Sequence, residues 1–158
     1  MTEFENLVKS LIERKYTISA AESCTGGLFS SGIVGIPDAS KVLSASFVTY
    51  SEEAKNKFAF VPFAVIEKYG VVSEETARAM AKGAAKNADA QVGVGITGFA
   101  GPSGGDSFAE KGTVCFGFYI NGSVFSAREQ YKNSTRNEVR KKSAEYAAEY
   151  LNHLLDEN

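Results

Sequence analysis

The sequence predicts a three-layer α/β/α sandwich built on one mixed, mostly parallel sheet. Three observations carry that expectation. Short strand-like runs over 16–20, 43–50 and 92–96 are separated by helical patterns, the order that produces parallel strands. An Asn121-Gly122 turn joins 112–120 to 123–131, which adds an antiparallel hairpin near the end. The chain has 158 residues, 44% hydrophobic and 23% charged, the size and balance of one globular domain over 1–158.

The elements follow in order. Phe4, Leu7, Val8, Leu11 and Ile12 recur at the spacing of an amphipathic helix, and Thr2 with Glu5 forms a capping box for it. Thr17 and Ile18 supply β-branched residues to the first strand. A helix over 25–34 opens on Gly26-Gly27 and is broken by Gly35, Pro37 and Asp38. Phe47 and Val48 centre the second strand, and Ser51 is the N-cap of the helix after it. A helix over 73–88 carries Ala77, Met80, Ala81, Ala84 and Ala88 on one narrow stripe, small enough to permit close packing onto a sheet. Beyond it Val92, Val94 and Ile96 alternate with glycines, the mark of a strand approached closely by other backbone. The last helix begins near Thr135, with Glu138 three residues on. Val139, Tyr146, Ala147, Tyr150, Leu151 and Leu154 form its apolar face.

Composition excludes several function classes. Net charge is −2, and Lys and Arg are dispersed until the C-terminal fifth, so no basic face for nucleic acid is expected. No apolar run reaches the length of a bilayer span, and Met1-Thr2-Glu3-Phe4-Glu5 does not read as a secretory signal. Cys24 and Cys115 have neither metal nor redox spacing, so a reduced, cytoplasmic protein is expected. The single histidine, His153, lies within the last six residues. Zinc sites built on paired histidines are therefore excluded, no metal or cofactor is expected, and a nucleophilic serine needs a base other than imidazole.

Ser23, in Ala20-Ala21-Glu22-Ser23-Cys24-Thr25-Gly26-Gly27, falls where a strand gives way to a helix, at the sheet edge where open α/β folds bind ligands. The N–H groups of Cys24, Thr25, Gly26 and Gly27 would then be helix-start donors for an oxyanion. The plainer alternative is that Ser23 or Thr25 caps the helix. Cys24 is a rival nucleophile, but no histidine or second cysteine stands ready to activate it, and a buried thiol is expected. Tyr50 and Lys55 occupy the next strand-to-helix junction. A desolvated lysine can act as a general base and a tyrosine can relay a proton or hold the lysine; the alternative is a surface lysine on a short helix.

Gly93-Val94-Gly95-Ile96-Thr97-Gly98 spells G-x-G-x-x-G but lies within a strand and opens no helix, so it is not a dinucleotide fingerprint. The loop Gly98-Phe99-Ala100-Gly101-Pro102-Ser103-Gly104-Gly105 allows backbone N–H groups to approach an anion or a flat ring; a plain surface loop is the alternative. Arg136 and Arg140, one turn apart at the start of the last helix, suit a phosphate, or else continue with Lys141 and Lys142 as a solvated face.

Together these segments resemble the CinA C-terminal domain family, whose stand-alone members are nicotinamide-nucleotide amidases. The resemblance covers essentially the whole chain. It rests on Ala21-Glu22-Ser23-Cys24-Thr25-Gly26-Gly27, Phe47-Val48-Thr49-Tyr50-Ser51-Glu52-Glu53-Ala54-Lys55 and Gly70-Val71-Val72-Ser73. Further on it includes Gly95-Ile96-Thr97-Gly98-Phe99-Ala100-Gly101-Pro102 and Lys111-Gly112-Thr113-Val114. It implies a metal-free α/β/α amidohydrolase that self-associates, as a homodimer or higher homo-oligomer. Its substrate would be nicotinamide mononucleotide, hydrolysed to nicotinate mononucleotide and ammonia in pyridine-nucleotide (NAD) salvage. Ser23 is the implied nucleophile, with Lys55 and Tyr50 as its partners. Cys24, Thr25, Gly26, Gly27, Thr97, Gly98, Ala100, Gly101, Arg136 and Arg140 would form the oxyanion and substrate contacts. The N-terminal domain of full-length CinA proteins is expected to be absent. Two departures stand out: Ser134-Thr135-Arg136 replaces a Gly-Asp-Arg lead-in, and Phe58-Ala59-Phe60-Val61-Pro62-Phe63 is unusually aromatic. A rival reading from another class is a non-catalytic nucleotide-binding or regulatory module linked to competence or DNA damage.

Overall fold

The computed structural model describes residues 1–158. In chain order the elements are α1 (Glu3–Arg14), β1 (Ile18–Glu22), α2 (Leu28–Val34), β2 (Phe47–Val48), α3 (Glu52–Ala59) and α4 (Phe63–Tyr69). There follow α5 (Glu74–Asn87), β3 (Val92–Gly98), β4 (Thr113–Ile120), β5 (Ser123–Gln130) and α6 (Arg136–Glu157). The five strands form one sheet in the order β2-β1-β3-β4-β5. Pairing is parallel for β2-β1 and β1-β3 and antiparallel for β3-β4 and β4-β5, as expected of a mixed sheet finished by a hairpin.

Strand alternation divides the core. Ile18 and Ala20 of β1, with Val92, Val94 and Ile96 of β3, face a cluster that includes Leu7 and Leu11 of α1, Phe29 and Ile33 of α2, and Leu151 of α6. On the opposite face Ala21 packs with Ala59, Ile66, Met80 and Ala84, which brings in α3, α4 and α5. The glycines of β3 lie beneath α5. A methyl group on Gly93 would strike the Ala81 carbonyl, and one on Gly95 or on Gly117 of β4 would strike the Ala77 carbonyl. The alanine stripe and the alternating glycines are thus two halves of one contact. Gly83 plays the same part on the outer side of α5, against the carbonyl of Ala59 at the end of α3.

Three elements differ from the sequence reading. α2 opens at Leu28 instead of 25, because Gly26 and Gly27 adopt φ of 57° and 106°, left-handed conformations that no right-handed helix includes. The strand over 43–50 contracts to Phe47–Val48, with Leu43 contributing an isolated pairing to Ile18. α4 was not anticipated: the aromatic segment is the joint between α3 and α4, where Phe60 turns the chain at φ 55° and Pro62 starts the next helix. Phe58 there stacks on Phe47 with ring centroids 6.4 Å apart.

Candidate active site

Ser23 is the residue that leaves the sheet. Its N–H donates to the Ile96 carbonyl at 2.9 Å, extending the β1-β3 pairing by one residue and fixing Ser23 at the carboxyl edge. Across that edge α3 starts at Ser51, whose hydroxyl accepts from the Ala54 N–H at 3.0 Å. One turn in, Lys55 points inward and is 1% exposed. Its Nζ donates to the Thr49 carbonyl at 2.7 Å and lies 3.1 Å from Ser23 Oγ. Lys55 is therefore no surface lysine. Burial lowers its pKa from 10.5 to about 8, an effect partly opposed by Cys24 and Glu52. When Lys55 is neutral, Ser23 O–H can donate into the Nζ lone pair while an Nζ–H holds the Thr49 carbonyl, which is the geometry of a nucleophile on its base.

The loop after Ser23 is organised by a residue the sequence reading passed over. Glu22 is buried at the end of β1, yet its carboxylate accepts five hydrogen bonds. Thr25 Oγ1, Gly27 N–H and Phe29 N–H donate to Oε1, while the N–H and hydroxyl of Ser30 donate to Oε2, at 2.6–3.2 Å. Glu22 thus caps α2, and neither Ser23 nor Thr25 does. An acid closing the otherwise small and apolar Ile18-Ser19-Ala20-Ala21, just before Gly26-Gly27, was the available signal.

This corrects the expected oxyanion donors. The Gly27 N–H is taken by Glu22, and the Gly26 N–H donates to the Ser23 carbonyl at 3.0 Å. The N–H groups of Cys24 and Thr25 make no backbone hydrogen bond to another residue, which leaves this pair as the candidates to meet a developing anion. Cys24 itself is a buried thiol, pushed up to about 12 by burial, which leaves it protonated and un-nucleophilic.

The two arginines part company. Arg140 turns onto the nucleophile loop, donating from Nε to the Cys24 carbonyl at 2.9 Å and from Nη2 to the Thr25 carbonyl at 3.2 Å. Its Nη1 reaches Asn137 Oδ1 at 3.0 Å. Arg136 instead bridges two loops, through Nη1 to the Gly101 carbonyl and Nη2 to Tyr50 Oη, both at 2.9 Å. The two guanidinium groups thus take different partners, although they start one helical turn apart. Tyr50 meets Arg136 and makes no hydrogen bond to Lys55 or Ser23.

The remaining candidates line the β3 side of the same edge. Thr97 is buried and its hydroxyl donates to the Val71 carbonyl at 2.8 Å, holding 70–72 in place instead of facing a ligand. Gly98 leaves room for Cys24, whose sulfur would lie 3.1 Å from a side-chain carbon there. Ala100 is buried, and Gly101 turns at φ 86° with open space beside it. No three or more His, Cys, Asp or Glu side chains converge as a metal site would require.

An α/β/α domain with a buried serine–lysine pair at the sheet edge is the class that fold and site define. The chain matches the CinA C-terminal domain model over residues 2–155, and it belongs to that family. It is 44% identical over 151 residues to an Alkaliphilus metalliredigens protein named as competence-damage inducible, covering 96% of this chain and 36% of that one. It is 41% identical over 152 residues to a CinA-like protein of Kosmotoga olearia, covering 96% and 37%. The chain thus spans little more than a third of the curated relatives it matches. Among solved structures, a CinA superfamily protein from Escherichia coli superposes with TM-score 0.92 at 35% identity, covering 96% of this chain and 88% of that one. One from Klebsiella pneumoniae gives 0.94 at 27% identity, covering 99% and 97%.

Proposed function

We propose that this domain is an amidohydrolase that converts nicotinamide mononucleotide to nicotinate mononucleotide and ammonia. The observation that carries the reading is the 3.1 Å approach of a buried, pKa-lowered Lys55 to Ser23 Oγ. Lys55 takes the Ser23 proton as Oγ adds to the carboxamide carbon, and the Cys24 and Thr25 N–H groups receive the oxyanion. The protonated lysine returns its proton to the leaving nitrogen, ammonia departs, and water cleaves the acyl-serine with Lys55 again as base. The pyridinium ring withdraws electrons from the carboxamide and so eases attack.

The test is ammonia release from nicotinamide mononucleotide. Ser23→Ala and Lys55→Met are each expected to stay folded and lose at least about a thousandfold in kcat. Wild-type turnover retained by Ser23→Ala would refute the nucleophile. The names of the relatives favour one second reading, a regulatory module tied to competence or damage responses. It predicts nucleotide binding without ammonia release by the wild-type protein. The amidase reading carries with it a cytoplasmic setting, a homo-oligomeric assembly and a role in NAD salvage.

A further inference from the structure

Tyr50 is the member of the expected catalytic trio that does not join the other two. Its hydroxyl is held by Arg136 at 2.9 Å, whereas Lys55 bonds to Ser23 and the Thr49 carbonyl. The residue is 64% exposed, although Thr49 before it and Lys55 five residues on are sealed. An exposed aromatic is usually mobile, but this one is fixed at both ends. Arg136 pins the hydroxyl and is itself pinned to the Gly101 carbonyl at 2.9 Å, while the backbone is held by the bond from Lys55 to Thr49.

That backbone bond also places the ring. The carbonyl that accepts from Lys55 belongs to the peptide joining Thr49 to Tyr50, so the Tyr50 Cα lies within about 6 Å of Nζ by covalent geometry. Ser23 Oγ is 3.1 Å from the same nitrogen. A phenol ring extends roughly 4–6 Å from its Cα. A ring whose carboxamide is under attack at Ser23 is therefore within the distance that a phenol extending from the Tyr50 Cα can span.

We propose that Tyr50 is a specificity-determining residue: its ring is the platform for the flat, cationic heteroaromatic ring that bears the scissile carboxamide, and its hydroxyl anchors that platform instead of relaying a proton. This inference rests on the amidase reading above and deepens it. The face of a phenol is electron-rich, so a pyridinium gains a cation–π attraction that neutral nicotinamide lacks and an aliphatic amide lacks entirely. The platform is preorganised by Arg136, so little ring freedom is lost on binding. Selection of N-substituted pyridinium carboxamides over their neutral counterparts follows from this one surface.

Tyr50→Phe keeps the ring and removes the hydroxyl; Tyr50→Leu removes both. In steady-state ammonia release from nicotinamide mononucleotide, Tyr50→Leu is expected to raise KM about tenfold or more while kcat changes less. Tyr50→Phe, which keeps the ring and loses only the Arg136 anchor, is expected to raise KM by no more than about threefold and to keep the same pH–rate profile. A loss of kcat in Tyr50→Phe as large as in Tyr50→Leu, or a displaced pH profile, would overturn the platform and return the phenol to proton transfer. Calorimetry with nicotinamide mononucleotide on a Ser23→Ala background separates this claim from the amidase reading. Absence of turnover by the wild type would sink the amidase. A Kd weakened by Tyr50→Leu but kept by Tyr50→Phe would still support the platform, and equal Kd values for both would refute it.

Discussion

Arg140 donates to the Cys24 carbonyl at 2.9 Å, a bond that joins the first turns of α6 to the nucleophile loop across 116 residues. In a trans peptide the carbonyl and the following N–H point in opposite directions. Holding the Cys24 carbonyl therefore sends the Thr25 N–H away from Arg140, and the bond to the Thr25 carbonyl keeps the next peptide from rotating. On the amidase reading, Arg140 would act on the reaction through the peptide it orients.

Arg140→Lys tests that role. An ammonium on a flexible stem does not reproduce a planar fork across two carbonyls. The variant is expected to keep its circular dichroism spectrum and lose about tenfold or more in kcat, with KM changed less. A selective rise in KM would show that Arg140 binds substrate directly.

The Lys55 pKa sets a pH dependence. As the neutral form is the base, kcat/KM should rise with pH through an apparent value near 8 and then level off. Stability follows the same group. The folded pKa is about 8 and the ordinary value 10.5, so between these the unfolded chain binds more protons and stability rises with pH. Burial of the protonated form costs on the order of 3 kcal/mol below pH 8, a penalty relieved as pH climbs through that window. Denaturant titrations at pH 7 and pH 10 should show a gain for the wild type that is missing from Lys55→Met.

Glu22→Gln replaces one acceptor oxygen by an NH2 group where only donors face it. One or more of the Phe29, Ser30 and Thr25 donors then loses its partner, costing about 1–3 kcal/mol. Thermal melts should register that loss, and kcat should fall because the same carboxylate shapes the turn that carries Ser23. Restored melting with kcat still depressed would assign Glu22 to the chemistry.

Much of this was legible in the residues. The capping box at Thr2 and Glu5, the Asn121-Gly122 hairpin and the β3 glycines are local signals, and the structure realises each of them. The approach of Ser23 to Lys55 was also within reach, because two strand-to-helix junctions in one parallel sheet must share an edge. What escaped were preferences set by tertiary partners. Glu22 reads as a misplaced charge in an apolar strand until the N–H groups of α2 surround it. Arg136 and Arg140 look alike in sequence, four residues apart, but only the fold decides that one faces Tyr50 and the other Cys24. The strand over 43–50 was overlong because Phe47 and Val48 report strand propensity, whereas upstream of them the Ala20 N–H of β1 donates to Ser46 Oγ at 3.1 Å instead of to a backbone carbonyl, so regular pairing with β1 is confined to Phe47 and Val48.

Gly95→Ala checks the contact between α5 and the sheet. The added methyl meets the Ala77 carbonyl, so α5 must shift, and a loss of about 1–3 kcal/mol is expected in denaturant unfolding. The parent stability retained in that variant would mean that the helix has slack against β3.

Gly83 extends that contact outward, because its bare Cα is the seat on which the end of α3 rests. The depth at which Lys55 sits is therefore a spacing set by a missing side chain on a different helix. One methyl group there would lift α3 and draw the amine back from the serine, leaving every catalytic atom present and out of range. A mutation that touches no functional group could thus silence the site by geometry alone.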